Sequence, residues 1–405
     1  MIEPVIKRVA GLDVHKMVVV GTVLLEHEDG SLQHETKEFG TFKRERRKLC
    51  QWLKGHDVEL IVMESTGIFW KSLYSSFEKA QLKAYVVNAR HVKNVPGRKT
   101  DVSDSHWLAA LARIGLLKPS FIPPQDLREL RNITRQRIKL DGMLSAEKNR
   151  LGKILDDAGI RLSGVVTDID GKSARDIIDG LIDGASVEEM LECIRGRLKN
   201  KSEQLKACLD EELSPRHLFL LNKIRDHINY LKSEIKSFDE YLFAAMIPYQ
   251  KQWEILQTLP GVDKIAAAIL IVEIGTDMDE FGSADCLSSW AGMCPGNNES
   301  AGKRKSGRTR KGNVFLRSIL CEVANAARKT RSQFKGKYES LIMRLGHKRT
   351  IIALGHKILR IVFSLLKNLK PYHDPEIDYE KLMVDKNAPR WLQALKKFGY
   401  LPQAA

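Results

Sequence analysis

The sequence predicts an α/β domain built on one mixed sheet with flanking helices, followed by a helical coiled-coil arm and a mainly helical C-terminal domain. Three observations carry this. Short apolar runs alternate with amphipathic stretches over the first 120 residues, as an α/β domain requires. Leu221, Ile224, Ile228, Leu231, Ile235, Phe238 and Leu242 then alternate spacings of three and four, which is a heptad seam. From about Tyr249 the chain turns to Pro-Gly punctuation and short helical patterns. The expected boundaries are 1–125, 126–248 and 249–405, the first falling just after Pro119, Pro123 and Pro124.

In chain order, Arg8 to Asp13 and Met17 to Leu25 read as a hairpin, and Glu35 to Phe42 as a third extended piece. A basic amphipathic helix follows from Lys43 to Lys54, then a strand from Val58 to Glu64, a helix near Ile68 to Lys79 and a strand at Lys83 to Asn88. A basic loop, His91 to Lys99 with Pro96-Gly97, leads into a helix beginning at Asp101. The region from Leu127 to about Phe243 reads as long charged helices, with an earlier seam at Leu130, Ile133, Leu140, Leu144 and Leu151 weakened by Arg137 and Glu147. These two seams predict either a hairpin packed on itself or a dimerisation arm. The stretch from Gly159 to Gly196 reads as helical with several glycines.

Four carboxylates stand where this layout could gather them. Asp13 and Glu64 each end an apolar strand, where a carboxylate leaves a buried core to do something polar. Asp101 and Asp104, three residues apart, share one face of a first helical turn. An acid in a first turn can also serve only the helix dipole. Packed together, four acids repel one another unless a divalent cation neutralises them. Magnesium suits such a set, with manganese as the alternative ion, because it takes a few carboxylate oxygens and completes its shell with water and phosphate. An RNase H-like sheet would bring all four to one point.

The chain has 405 residues, enough for two or three domains, and a net charge of +15 with a pI near 9.4. Such a balance favours a polyanionic partner, and nucleic acid over a membrane, since no stretch approaches the roughly 20 apolar residues of a spanning helix. Met1 to Arg8 lacks a signal-peptide pattern, so a cytoplasmic protein is expected. The six cysteines show no CxxC spacing and predict reduced thiols.

Leu259-Pro-Gly-Val-Asp263 before a small-residue helix resembles a helix-hairpin-helix turn, whose backbone N–H groups can hold a DNA phosphate; it can equally join two packed helices. From Trp290 to Asn313 the chain is rich in glycine, serine and basic residues without apolar periodicity, and is expected to be a loop. Lys303, Arg304, Lys305, Arg308, Arg310 and Lys311 would supply salt-sensitive phosphate attraction. Ser300 could go further, because a hydroxyl held beside a base or metal among cations can attack a phosphodiester.

In this order, Gly11-Leu-Asp13-Val-His-Lys16, Met63-Glu64-Ser-Thr-Gly67, Lys99-Thr-Asp101-Val-Ser-Asp104, Leu259-Pro-Gly261, Trp290-Ala-Gly292, Pro295, Ser300-Ala-Gly-Lys303 and Arg310-Lys-Gly-Asn313 resemble the DEDD insertion-sequence transposases. The resemblance spans nearly the whole chain. It implies a RuvC-like N-terminal domain, Asp13, Glu64, Asp101 and Asp104 as magnesium ligands, and Ser300 as a nucleophile that joins transiently to a DNA end. Ser306 is held in reserve, because family members often carry Ser-Gly-Gly where this chain has Ser300-Ala301-Gly302. It further implies donor and target DNA and a guide (bridge) RNA as partners. A homo-oligomer, dimer or tetramer, would share composite sites between protomers, in a bacterial or archaeal cell and associated with the nucleoid. Consistently, no GxxxxGK[ST] phosphate loop is present. Two other functions remain open to the residues: a RuvC-like structure-selective endonuclease whose carboxylates activate water without a covalent intermediate, and an architectural nucleic-acid binder.

Overall fold

The computed structural model describes residues 6–65, 67–88, 92, 104–295, 298–300, 302–306, 309, 311–375 and 377–400, with only the backbone for 298–300, 303–306 and 380. Its contacts divide the chain into two compact units, residues 1–125 and 126–405.

The first unit is a five-stranded mixed sheet. β1 (Arg8–Val14), β2 (Val18–Glu26) and β3 (Leu32–Gly40) form an antiparallel meander, and β4 (Leu60–Glu64) and β5 (Ala84–Val87) continue it in the order β3-β2-β1-β4-β5. β4 runs parallel to β1, and β5 parallel to β4. This order and these directions are those of an RNase H-like domain, as expected. The helices are α1 (Lys43–Gly55), α2 (Trp70–Lys79) and α3 (Asp104–Arg113). Alternation along the strands sends Ala10, Leu12, Ile61 and Met63 to one face, where Leu49 and Leu53 of α1 and Leu73 and Phe77 of α2 bury them. Val9, Leu60 and Val62 point the other way, onto Leu108, Ala109, Leu111 and Ala112 of α3.

β3 begins earlier than the sequence suggested, because its residues are exposed except near Phe39 and so leave no apolar alternation to read. Its charged sequence is what an edge strand carries to discourage further pairing.

Gly11 decides how closely α3 approaches. A Cβ there would stand 2.0 Å from the Ser105 carbonyl oxygen and 2.6 Å from the Ala109 nitrogen, so backbone meets backbone where β1 has no side chain. Gly11 pairs with Thr22 across the hairpin. The buried Thr22 Oγ1 lies 2.8 Å from Ser105 Oγ and 2.9 Å from Thr36 Oγ1, a hydroxyl chain running from the edge strand to the first turn of α3.

In the second unit, α4 (Gln125–Asp157) and α6 (Pro215–Ala245) are the two long helices expected, with α5 (Lys172–Asp183) and shorter helices between them. Leu140, Leu144, Leu151 and Leu155 share one core with Leu221, Ile224, Ile228, Leu231 and Ile235. The seam is thus filled within the chain, as a helical hairpin packed on itself. The polar seam positions find partners: Arg137 grips Asp239 at 2.8 and 3.3 Å, and Glu147 lies 2.6 Å from Arg150 and 3.2 Å from His227. Asp170, largely buried, is held by Lys148 at 2.8 Å and by Lys232.

The remaining helices are α7 (Gln250–Gln257), α8 (Lys264–Ile274), α9 (Ala284–Trp290), α10 (Val314–Ala327), α11 (Gln333–Leu345), α12 (His347–Asn368) and α13 (Tyr379–Lys397). α8 is buried along its length, from Ala266 to Ile274. None of the described helices is long and apolar enough to cross a membrane.

Two outcomes follow from this packing. Gly11→Ala forces α3 off β1 and costs about 3 kcal/mol of stability, read as a lowered urea midpoint. Burial alone would raise the Asp170 carboxyl, but the hydrogen bonds from Lys148 and Lys232 outweigh it and hold it below the usual range. A carboxyl lowered on folding stabilises above its unfolded pKa of about 3.9 and loses that contribution as pH falls through the folded value. Asp170→Asn is therefore destabilising at pH 7, and the gap between variant and wild-type urea midpoints narrows below about pH 4.

Candidate active site and serine hairpin

Asp13 lies near the C-terminal end of β1 and Glu64 ends the adjacent parallel β4, one step beyond the paired positions Leu12 and Met63. Parallel pairing with equal lengths beyond the last pair brings these two positions side by side. By the same alternation that sends Gly11 and Val62 toward α3, both acids belong to the α3 face. Asp104 is the first residue of α3, next to Ser105, whose backbone touches β1 at Gly11. Asp13 and Glu64 therefore share one end of one sheet face, and Asp104 opens the helix that covers that face. Asp101 lies outside the described residues, as do Pro96-Gly97 and the rest of the basic loop apart from Val92.

Asp13 is partly exposed, and its Oδ2 is 3.0 Å from His15 Nε2. The sequence reasoning passed over His15. Its spacing of two from an acid at a strand end, which returns both side chains to the same face, was the available signal. Among the described residues no three His, Cys, Asp or Glu side chains are gathered as a formed metal-binding group. The donor chemistry of Asp13, Glu64 and Asp104, all carboxylates, is nonetheless that of a site for a hard divalent cation rather than for zinc or copper.

The segment from Pro295 to Thr309, expected as a loop, contains a β-hairpin. β6 (Asn298–Ser300) and β7 (Lys303–Ser306) pair antiparallel with Ser300 opposite Lys303 and Glu299 opposite Arg304, and Pro295 bridges Thr309 beyond them. The ribbon is short, and Asn298-Glu-Ser300 and Lys303-Arg-Lys-Ser306 carry no apolar alternation that could have marked it. Ser300 is the last residue of β6 before the turn, and Gly302 in that turn has φ of 73°, a left-handed conformation that glycine adopts without strain. Lys303, Arg304 and Lys305 form most of β7, and Lys311 is exposed. The side chains of Ser300, Ser306, Lys303, Arg304 and Lys305 lie outside the described residues, as do Arg308 and Arg310 altogether.

The hairpin's root is the best-defined polar construction in this unit. A Cβ on Gly312 would stand 2.3 Å from the Ala291 oxygen, so the two ends of the segment cross backbone to backbone. Arg317 Nη2 donates to the Gly292 carbonyl at 2.8 Å. Asn313 accepts from the N–H groups of Phe315 and Leu316, capping α10, and its Nδ2 donates to Glu273 Oε2 at 2.6 Å. Glu273 is fully buried in α8 and takes both arms of Arg135 at 2.9 and 3.0 Å, with Arg131 at 3.3 Å. Burial pushes the Arg131 guanidinium down to about 10, against the pull of Glu273. Arg131 and Arg135 belong to α4, so one buried carboxylate ties the arm helix to the start of α10. Sequence reasoning missed Glu273, although one acid within Ile269-Leu-Ile-Val-Glu-Ile274 is a visible anomaly.

The Pro260-Gly261 turn joins α7 to α8. A Cβ on Gly261 would stand 2.7 Å from the Ala327 nitrogen and the Val323 oxygen, so packing against α10 already requires glycine here, with φ of 86°.

Glu273→Gln leaves the partly buried guanidiniums of Arg131 and Arg135 without their carboxylate. It costs about 3 to 5 kcal/mol, measured as the loss in urea-unfolding free energy of the full chain.

A family model for the IS110-type DEDD transposases, described as a transposase, matches residues 10–160, and a second, described as Transposase IS116/IS110/IS902 family, matches residues 253–339. No curated protein matches. Among solved structures, the chain is similar to the RuvC structure of Thermus thermophilus, with 15% identity over 28% of this chain and 99% of that chain and a TM-score of 0.22. That likeness is too weak to bear on function, and the fold rests on the strand order above. The two family matches take in both the acid-bearing sheet and the serine hairpin, and the chain belongs to the DEDD insertion-sequence transposase family.

Proposed function

We propose that this transposase cuts and rejoins DNA strands by covalent catalysis, with Ser300 as nucleophile and Asp13, Glu64, Asp101 and Asp104 as ligands of magnesium. What supports the reading is that Asp13 and Glu64 stand side by side at the ends of β1 and β4, on the face that α3 covers, with Asp104 opening that helix. Carboxylates so placed offer the hard oxygen donors that magnesium takes. When bound, the ion would neutralise their mutual repulsion and stabilise charge developing on a scissile phosphate.

The chain's own groups would do the rest. Ser300 Oγ gives up its proton to a general base and bonds to phosphorus, while the phosphorus–oxygen bond to the departing deoxyribose breaks and that oxygen is protonated. The serine phosphodiester conserves the bond for rejoining, so no external energy source is needed. Lys303, Arg304 and Lys305 on β7, with Arg308, Arg310 and Lys311 after it, would hold the backbone being cut. His15 fixes one orientation of Asp13. A guide RNA, donor and target DNA, and an oligomer of two or four protomers complete the reading. RNA guidance would leave sequence selection to base pairing and give the protein's cations the task of holding backbones.

The test is a denaturant-resistant DNA–protein adduct formed with RNA, magnesium and cognate DNA. Ser300→Ala abolishes the adduct while DNA binding stays within about twofold, and Asp13→Asn or Glu64→Gln lowers strand cleavage about a hundredfold or more with binding retained. An adduct that survives Ser300→Ala removes the serine from the mechanism. Cleavage without any adduct in the wild type would instead mark a water-using nuclease.

A further inference from the structure

We propose that the cavity between α11 and α12 seats an unpaired nucleotide of a bound single strand, at a place distinct from the acids and from the serine hairpin. This goes beyond the strand-cutting reading and stands without it. The cavity has a volume of about 700 Å³, within the range of small-molecule pockets.

Its walls follow from helical periodicity. Lys337, Leu341 and Arg344 recur at spacings of four and three on α11, and Ala353, Lys357 and Ile361 at spacings of four on α12, so each helix turns one stripe toward the same space. The stripes combine apolar wall with cation. Lys337, Arg344, Lys357 and Arg360 line the cavity, and no Asp or Glu does among the described residues.

Among the described residues, little neutralises these charges. Among the described residues, Lys337, Arg344 and Lys357 form no ion pair with a carboxylate, and Arg360 pairs with a well-exposed Asp285, a contact of small worth. Lys337 and Lys357 lie over the Tyr379 ring, at 5.1 and 4.8 Å from its centroid. Lys357 also donates to Gln333 and to the Tyr379 hydroxyl, and Gln333 in turn donates to the Tyr372 hydroxyl at 2.7 Å. The lysine heads are thus positioned, and their charge is left over for a ligand.

An apolar wall beside four cations suits a flat base with phosphates on both sides. A lipid or an apolar peptide would leave the cations uncompensated, and a bare phosphate would leave the wall unfilled. A duplex hides its base faces, so the occupant is a nucleotide that is not paired.

The experiment measures binding of the full chain to a labelled 12-nucleotide single strand, as DNA and as RNA, to the matching duplex, and in competition with adenosine monophosphate. Arg344→Glu removes charge, and Ala353→Phe fills the wall without touching charge; both variants are first matched to wild type by circular dichroism. Each is expected to weaken single-strand binding at least fivefold and duplex binding less than twofold. Arg344→Glu should also flatten the salt dependence of log K by about 0.7 or more, the value for one phosphate contact on a single strand. The DNA and RNA arms tell which strand is held. Unchanged single-strand binding in both variants overturns the site. Equal losses on single strand and duplex reduce it to a general basic surface and overturn it as well. If Ala353→Phe fails to fold, Lys337→Glu takes its place beside Arg344→Glu under the same criteria. Displacement of the labelled strand by micromolar adenosine monophosphate would make the occupant a free nucleotide and overturn the strand.

Discussion

Because Gly11 presents no side chain, the first turn of α3 comes down onto β1 until its backbone touches the strand, and much of the first unit follows from that contact. The helix covers Val9, Leu60 and Val62, and buries its own Leu108 and Ala109 in return. It also begins beside the strand ends that carry Asp13 and Glu64. Any residue with a Cβ would lift the start of α3, and Asp104 with it, away from those acids. The Thr22–Ser105 hydroxyl contact fixes the same joint from the neighbouring strand, in a buried setting where an unmade hydrogen bond is costly.

The second unit solves a similar positioning problem with charge. Glu273 sits inside an apolar helix, where an isolated carboxylate would be prohibitive, and is made tolerable by Arg135, Arg131 and the Asn313 amide. Hydrophobic packing could hold these helices together, but it has no direction. A bidentate guanidinium and a cap amide do, so the start of α10 is fixed in both place and orientation relative to α4. The serine hairpin springs from that fixed root, with Gly312 crossing Ala291 at backbone distance. Whatever the hairpin does, its place is set by what anchors its two ends.

Charge is divided between tasks along the chain. In the helical arm, Arg137, Lys148 and Lys232 are consumed by Asp239 and Asp170. Around the cavity of α11 and α12, Lys337, Arg344 and Lys357 form no ion pair with a carboxylate among the described residues, and Arg360 meets only the exposed Asp285. A net charge of +15 favours a polyanionic partner.

The sequence by itself determined the strands that bury both faces, the helices with strong periodicity, the heptad seam and the family, because alternation, 3.6-residue spacing and ordered motifs are local signals. It named Asp13 and Glu64 without showing that they share a face. Tertiary structure decided that through the parallel register of β1 and β4, a pairing between segments some fifty residues apart that no local pattern encodes. It also decided that the heptad seam closes within the chain, since a seam fits an internal partner as well as an external one until the opposing helix is seen. β3 escaped the reading because an exposed strand is held by backbone hydrogen bonds, which every sequence possesses, and the hairpin because its residues carry no apolar alternation. Glu273 was visible as an acid in an apolar helix, but its meaning depended on arginines nearly 140 residues away, brought to it only by folding.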